Sequence, residues 1–122
     1  MNFNQKIRGM ALMLIGNNNS IIEAAALATT PLIYKAVLTQ SSTNAPVATI
    51  ISKTIVGTIV WAYSAEGVFT GTLTGAFTAN KTFLVLNSNT VEAVRTSANI
   101  ITLTGASNGL LTETSFLIEV YP

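Results

Sequence analysis

Residues with a branched β-carbon dominate this chain of 122 residues and restrict the folds open to it. The sequence contains 18 Thr, 12 Ile and 9 Val, which together fill about a third of all positions. Such side chains lose rotamer freedom in helices and pack well on the pleated surface of a sheet. The composition therefore predicts a mainly β protein.

The pattern after residue 30 predicts about eight strands separated by segments rich in Gly, Asn and Ser. These strands cover residues 32–40, 47–55, 58–63, 68–73, 82–87, 91–96, 99–104 and 115–121. Residues 64–67 predict a tight hairpin turn in which Gly67 adopts a positive φ. Short strands at regular spacing are typical of antiparallel folds. We expect an antiparallel β-sandwich or a jelly-roll-like domain, with a small barrel as the alternative.

The first 30 residues have a helical pattern instead. Ile7, Met10 and Leu14 recur at three- and four-residue spacing, which places them on one face of a short helix. Ser20 and Glu23 form a capping-box pattern at the start of a second helix, and Pro31 ends it. We therefore predict a helical N-terminal anchoring arm over residues 1–30 and a β-sandwich domain over residues 31–122.

The arm is apolar, which suggests a role in assembly. Its candidate assembly residues are Ile7, Met10, Leu14, Ile21 and Ile22. The arm packs either on its own domain or on a neighbouring subunit, and the sequence leaves both open. Lys6 and Arg8 also precede an apolar run that is too short to span a bilayer but suits an anionic lipid surface. Membrane contact by the arm is a secondary expectation.

Residues that commonly carry catalysis are missing, since the chain contains no His, no Cys and no Asp. His is the usual general base, and Cys is an intrinsically strong nucleophile. The acids are five glutamates, and nothing in the sequence brings two of them to one cleft, as a glycosidase would need. They are Glu23, Glu66, Glu92, Glu113 and Glu119. We expect no enzymatic activity, no metal site and no cofactor.

Charge and hydropathy favour association with protein surfaces. The net charge is +1 and the six cations are scattered, so no nucleic acid partner is expected. Charged residues make up only 9% of the chain, and the mean hydropathy is +0.52. Several predicted strands are apolar on both faces, as in residues 115–121, which fits a subunit with neighbours on its outer face. We expect a homo-oligomer.

Aromatic residues in the predicted strands suggest a second kind of surface. Trp61 and Phe69, with Phe77 and Phe83, could line a face that binds carbohydrate. Aromatic residues interleaved with Val and Ile more often form the core of a sheet protein. Trp61 and Phe69 are the candidate binding-face residues if the first interpretation holds.

Three stretches resemble a known kind of protein. Residues 38–49, 57–61 and 67–78 resemble small uncharacterised proteins of phages and prophages in Bacteroidetes-type bacteria, and the resemblance covers roughly residues 33–86. It implies a virion-associated structural role and assigns no functional residues. The expected function is a phage structural protein in the virion, as a capsid vertex, decoration or fibre-base subunit that contacts other virion proteins. The alternative is a receptor- or carbohydrate-binding module on a virion or cell surface.

Overall fold

A computed structural model describes residues 30–122, of which Pro31–Tyr121 form one compact unit. The predicted arm helices and the arm residues Ile7, Met10, Leu14, Ile21 and Ile22 lie outside the described residues and stay predictions. Within residues 30–122 the regular structure consists of strands, without a helix. Eight strands follow in order: β1 (Leu32–Thr39), β2 (Val47–Lys53), β3 (Val60–Ala65), β4 (Val68–Thr72), β5 (Thr82–Leu86), β6 (Val91–Arg95), β7 (Ile100–Gly105) and β8 (Thr114–Val120).

The strands form two four-stranded antiparallel sheets. Sheet 1 has the order β2-β1-β8-β5, and sheet 2 has the order β3-β4-β7-β6. Consecutive strands pair as hairpins inside one sheet at β1–β2, β3–β4 and β6–β7. In a jelly roll, by contrast, most consecutive strands alternate between the two sheets. The strand order therefore favours the sandwich alternative over the jelly roll.

The ends of all eight strands lie within two residues of their predicted positions. The end of β3 differs by two residues, as do the end of β2 and the start of β3. The last two differences fall where the sequence predicts strand but the chain crosses from sheet 1 to sheet 2. The Ile33 amide donates to the Thr54 hydroxyl at 2.7 Å, and the Thr54 amide donates to the Ile33 carbonyl at 2.8 Å. Beyond this link, Ile55 and Ile59 are buried from the connection itself. Their side chains pack in the core from outside any strand, and the Ile55 amide also donates to the Ile33 carbonyl at 3.2 Å.

The inner faces of both sheets supply the core. On sheet 1, β1 and β8 bury alternate side chains, and on sheet 2, β4 and β7 do the same. Phe116, Ile118 and Val120 form the inward face of β8. Connections also contribute two fully buried side chains, Phe77 and Leu111. Such burial contributes about 25 cal/mol for each Å² of apolar surface removed from water.

One buried side chain ties two loops together at one end of the sandwich. The Gln40 side-chain carbonyl accepts from the Gly109 amide at 2.7 Å. Its amide group donates to the carbonyls of Ser42 and Asn44 at 2.8 and 3.0 Å. The loop after β1 and the loop before β8 are therefore held by the same residue.

The predicted hairpin turn between β3 and β4 is confirmed and depends on Gly67. This residue has φ of 70°, and a Cβ atom there would lie 2.1 Å from the Gly105 carbonyl oxygen. The same backbone accepts from the Gly105 amide at 2.7 Å and donates to the Asn108 side chain at 2.8 Å. Gly67 therefore meets both a dihedral and a steric requirement.

We expect Gly67→Ala to lower the free energy of unfolding by at least about 2 kcal/mol more than Gly75→Ala does, because only the first introduces a backbone clash. Gly75 has the same φ of 70° but open space around the missing Cβ, so it isolates the dihedral strain. Urea unfolding monitored by Trp61 fluorescence measures both. Equal losses in the two variants would contradict the account.

Candidate functional site

The outer face of sheet 1 carries a continuous set of apolar side chains. Because side chains alternate along a strand, the neighbours of the buried residues point outward. Phe83 and Val85 on β5 are each 58% exposed, and Ile51 on β2 is 65% exposed. Half-buried apolar residues on β1 and β8 lie between them. We call this set the apolar face: Ile33, Val37, Ile51, Phe83, Val85, Leu117 and Tyr121.

Strand register places these residues in rows across the sheet. Ile33 lies opposite Glu119, and Glu119 lies opposite Phe83. The next row along β8 brings Lys35, Leu117 and Val85 together. The rings of Phe83 and Tyr121 meet edge to face, with centroids 5.4 Å apart at 78°. Phe83 is thereby supported from one side while it projects from the sheet.

A shallow groove of about 270 Å³ runs across the apolar face. Val37, Ile51, Val85 and Leu117 form its apolar walls, and the small side chain of Ser115 lies in it. Ser115 points outward between bulkier neighbours, so the row through it is lower than the row through Leu117. The groove therefore follows from one small residue on a central strand.

Two opposite charges, Lys35 and Glu119, lie within the apolar face. Glu119 accepts a hydrogen bond from the Tyr121 hydroxyl at 3.3 Å. The negative charge of Glu119 raises the pKa of Tyr121, with smaller contributions from burial and from this hydrogen bond. Both charged groups lie on the two central strands among apolar side chains, so the face is neutral in sum.

The outer face of sheet 2 is different in kind. Threonines from β4 and β7 alternate outward across its centre, at Thr70, Thr72, Thr102 and Thr104. The hydroxyls of Thr96 and Thr102 lie 2.5 Å apart. Val60 and Val94, on the two edge strands, are 64% and 46% exposed, and their paired neighbours Thr72 and Thr102 carry hydroxyls. The large exposed apolar side chains concentrate on sheet 1.

The structure separates the two predicted binding-face aromatics. Phe69 is fully buried, so its assignment to a binding face is wrong and its ring belongs to the core. Trp61 is partly buried, and its indole N–H donates to the Tyr34 hydroxyl at 3.2 Å. Its ring meets Phe116 edge-on at 6.0 Å, which joins the two sheets.

Trp61 also lines a cleft of about 340 Å³ between the edge strands β2 and β3. Pro46, Ile50 and Lys53 line the β2 side of the cleft, and the Tyr34 hydroxyl lies beside the Trp61 indole nitrogen. The Lys53 ammonium donates to the Gly57 carbonyl. The cleft combines an aromatic ring with a few polar groups, which is the usual composition of a small-ligand site.

Among the described residues the most exposed aromatic ring is Phe83, which was named from the sequence only with three other aromatic residues of a possible carbohydrate-binding face. Residues 83–86 are all apolar, so alternation gives no sign of which side chains point outward. Only pairing with β8, which places Leu84 opposite Ile118 and Phe83 opposite Glu119, decides the faces. No local signal could have found this.

The four described glutamates are dispersed. Glu66 and Glu113 occupy the predicted turn positions, while Glu92 and Glu119 lie on β6 and β8. Within residues 30–122, no group of three or more His, Cys, Asp or Glu side chains could hold a metal ion. In the same residues, no helix is long and apolar enough to cross a membrane.

Comparisons of the chain with protein-family models, with curated proteins and with solved structures find no match.

The burial of Tyr34 predicts a dependence of stability on alkaline pH. Burial raises the pKa of Tyr34 above its usual value of about 10, against a smaller lowering by the Trp61 N–H. The folded state therefore holds the phenolic proton more tightly than the unfolded state does. The contribution of the Tyr34 phenol to the free energy of unfolding is fully present below pH about 10. It is lost as the pH rises through the pKa of Tyr34 in the folded state.

We expect the free energy of unfolding to fall less steeply above pH about 10 in Tyr34→Phe than in the unmodified chain, because no phenol remains to ionise at this position. At neutral pH the variant loses about 1 kcal/mol, the net value of a hydrogen bond. Urea unfolding across this pH range measures both, and lysine titration cancels in the comparison. Identical alkaline slopes would contradict the assignment.

Proposed function

We propose that the chain is a structural protein of a phage virion, a capsid vertex, decoration or fibre-base subunit. It assembles through the apolar face of sheet 1 and through the arm formed by residues 1–30. The observation that carries the proposal is the exposure of Phe83, Val85 and Ile51 on one sheet face. Contiguous apolar surface of this kind marks protein interaction sites.

Further support comes from the chemistry and the sequence. The described carboxylates do not converge on either cavity, and the charge-poor composition suits a subunit whose surface is covered by neighbours. The resemblance of residues 33–86 to phage and prophage proteins supplies the virion as the location. In this function the β domain needs no cofactor, and its partners are copies of itself and other virion proteins.

Purified particles provide the direct test. We expect peptides of this chain in phage particles induced from the organism that encodes it, co-migrating with other virion proteins on a density gradient and identified by mass spectrometry. Structural subunits are present in stoichiometric amounts, so the signal should follow the particle peak. Particles that form normally without any peptide of this chain would overturn the virion assignment.

A second candidate function rests on the cleft beside Trp61. An aromatic ring with the Tyr34 hydroxyl and Lys53 nearby is suited to a carbohydrate or receptor ligand. Phe69 does not contribute to this cleft, because it is buried.

We expect Trp61→Phe to abolish glycan-array binding if this second function holds, since a smaller ring removes both the stacking surface and the N–H donor. Tyr63→Phe, on the same strand and outside the cleft, is the matched control. Thermal unfolding of both variants checks that the fold is intact. Absence of glycan binding by the unmodified chain would exclude this candidate.

A further inference from the structure

We infer that the apolar face of sheet 1 docks on the same face of a second copy of this chain. The two copies are related by a two-fold axis, and Phe83 of each copy enters the groove of the other. The inference names the partner of the surface on which the proposed function rests.

The apolar face carries a projection and a recess at different places. Phe83 is exposed, projects from β5 and is supported by the Tyr121 ring. The groove lies further along β8, around Ser115 and Leu117. Its volume of about 270 Å³ can receive an aromatic side chain. A two-fold interface uses one patch twice, so it needs a projection and a matching recess within the same patch.

The charges of the apolar face are complementary between two copies of the chain. Lys35 lies opposite Leu117, and Ile33 lies opposite Glu119, so the four residues occupy the corners of a rectangle. Lys35 and Glu119 share one diagonal. A two-fold axis in the plane of the face that bisects this diagonal at a right angle exchanges the two corners and places each Lys35 over a Glu119 of the second copy. Two ion pairs then form at the centre of the interface, and no charge is left facing a like charge.

The same axis fixes how the sheets cross. With strands about 4.8 Å apart and about 6.7 Å between outward residues, the axis makes the strands of the two copies cross at roughly 70°. This belongs to the orthogonal class of sheet packing. The rotation places Phe83 of one copy over the other copy, toward its row of Val37 and Ser115, where the groove lies.

The area of the face sets the expected strength. Four strands with about six residues each give a planar footprint of about 400 Å². The surface buried is larger than this because side chains add relief, but it stays at the low end of specific interfaces. We therefore expect a weak pair, with a dissociation constant of about micromolar to tens of micromolar. Repetition in an assembly strengthens such contacts through avidity.

The outer face of sheet 2 does not compete as the docking surface. Its central threonines carry hydroxyl groups, and burying such groups without hydrogen-bond partners costs free energy. Val60 and Glu92 lie on that face and provide matched control positions.

Sedimentation equilibrium of the full chain, from about 1 μM to about 500 μM, tests the inference. We expect a reversible dimer that Phe83→Ser weakens at least tenfold by removing the projection. Ser115→Leu weakens it similarly by filling the groove. The controls Val60→Ser and Glu92→Lys change sheet 2 and leave the dimer unchanged. Thermal unfolding of each variant confirms the fold.

Charge exchange tests the two-fold axis. Lys35→Glu and Glu119→Lys should each weaken the dimer at least tenfold, because each places like charges together. The double variant should restore most of the affinity. A chain that is monomeric throughout the concentration range would overturn the inference, as would a dimer insensitive to Phe83→Ser and Ser115→Leu. Single charge variants without effect, or without rescue, would overturn the two-fold arrangement.

The outcome is separable from that of the proposed function. Peptides of this chain in phage particles, together with a chain that is monomeric in solution, would keep the virion assignment and overturn docking through the apolar face. A dimer with the expected variant effects, without any peptide of this chain in particles, would support docking through the apolar face and overturn the virion assignment.

Discussion

Seven residue pairs, from Leu32–Val120 to Leu38–Thr114, join β1 and β8 at the centre of sheet 1, and both faces of the sheet depend on them. This register turns Tyr34, Ala36 and Phe116 inward, where they meet sheet 2. It turns Lys35, Leu117 and Glu119 outward at the same time. A slip of one residue would exchange the two sets, since the side-chain period of a strand is two. Core and candidate interface are therefore determined by one pairing.

The side-chain hydrogen bonds of the described residues join loops, a turn and the two sheets. Gln40 holds loops, Asn108 caps the turn at Gly67, and the Trp61–Tyr34 hydrogen bond links the sheets. Each of these contacts satisfies a group that burial would otherwise leave unpaired. Within the described residues, no buried side-chain nitrogen or oxygen lacks a hydrogen-bond partner. The buried polar side-chain atoms of this part of the chain are therefore paired. The apolar face of sheet 1, by contrast, exposes large apolar side chains to solvent.

Much of the fold could be predicted because its signals are local. Strand ends were predicted within two residues, since turn residues such as Gly67 punctuate β-branched runs. Phe69 was less certain from sequence, because an aromatic residue in a strand more often belongs to a core but can also line a binding face. The crossover from β2 to β3 was misjudged at its edges, because Ile55 and Ile59 satisfy tertiary packing outside any strand.

The sequence by itself determined the class of fold, the strand positions and the scarcity of reactive side chains, all of which follow from composition and short-range pattern. The tertiary structure alone decided which apolar residues reach the surface. Phe83 and Val85 are indistinguishable from Leu84 and Leu86 in an unbroken apolar run. Pairing with β8 separates them, and a small Ser115 beside Leu117 makes the groove. Long-range register is a property of the folded chain, so no local pattern could have revealed this surface.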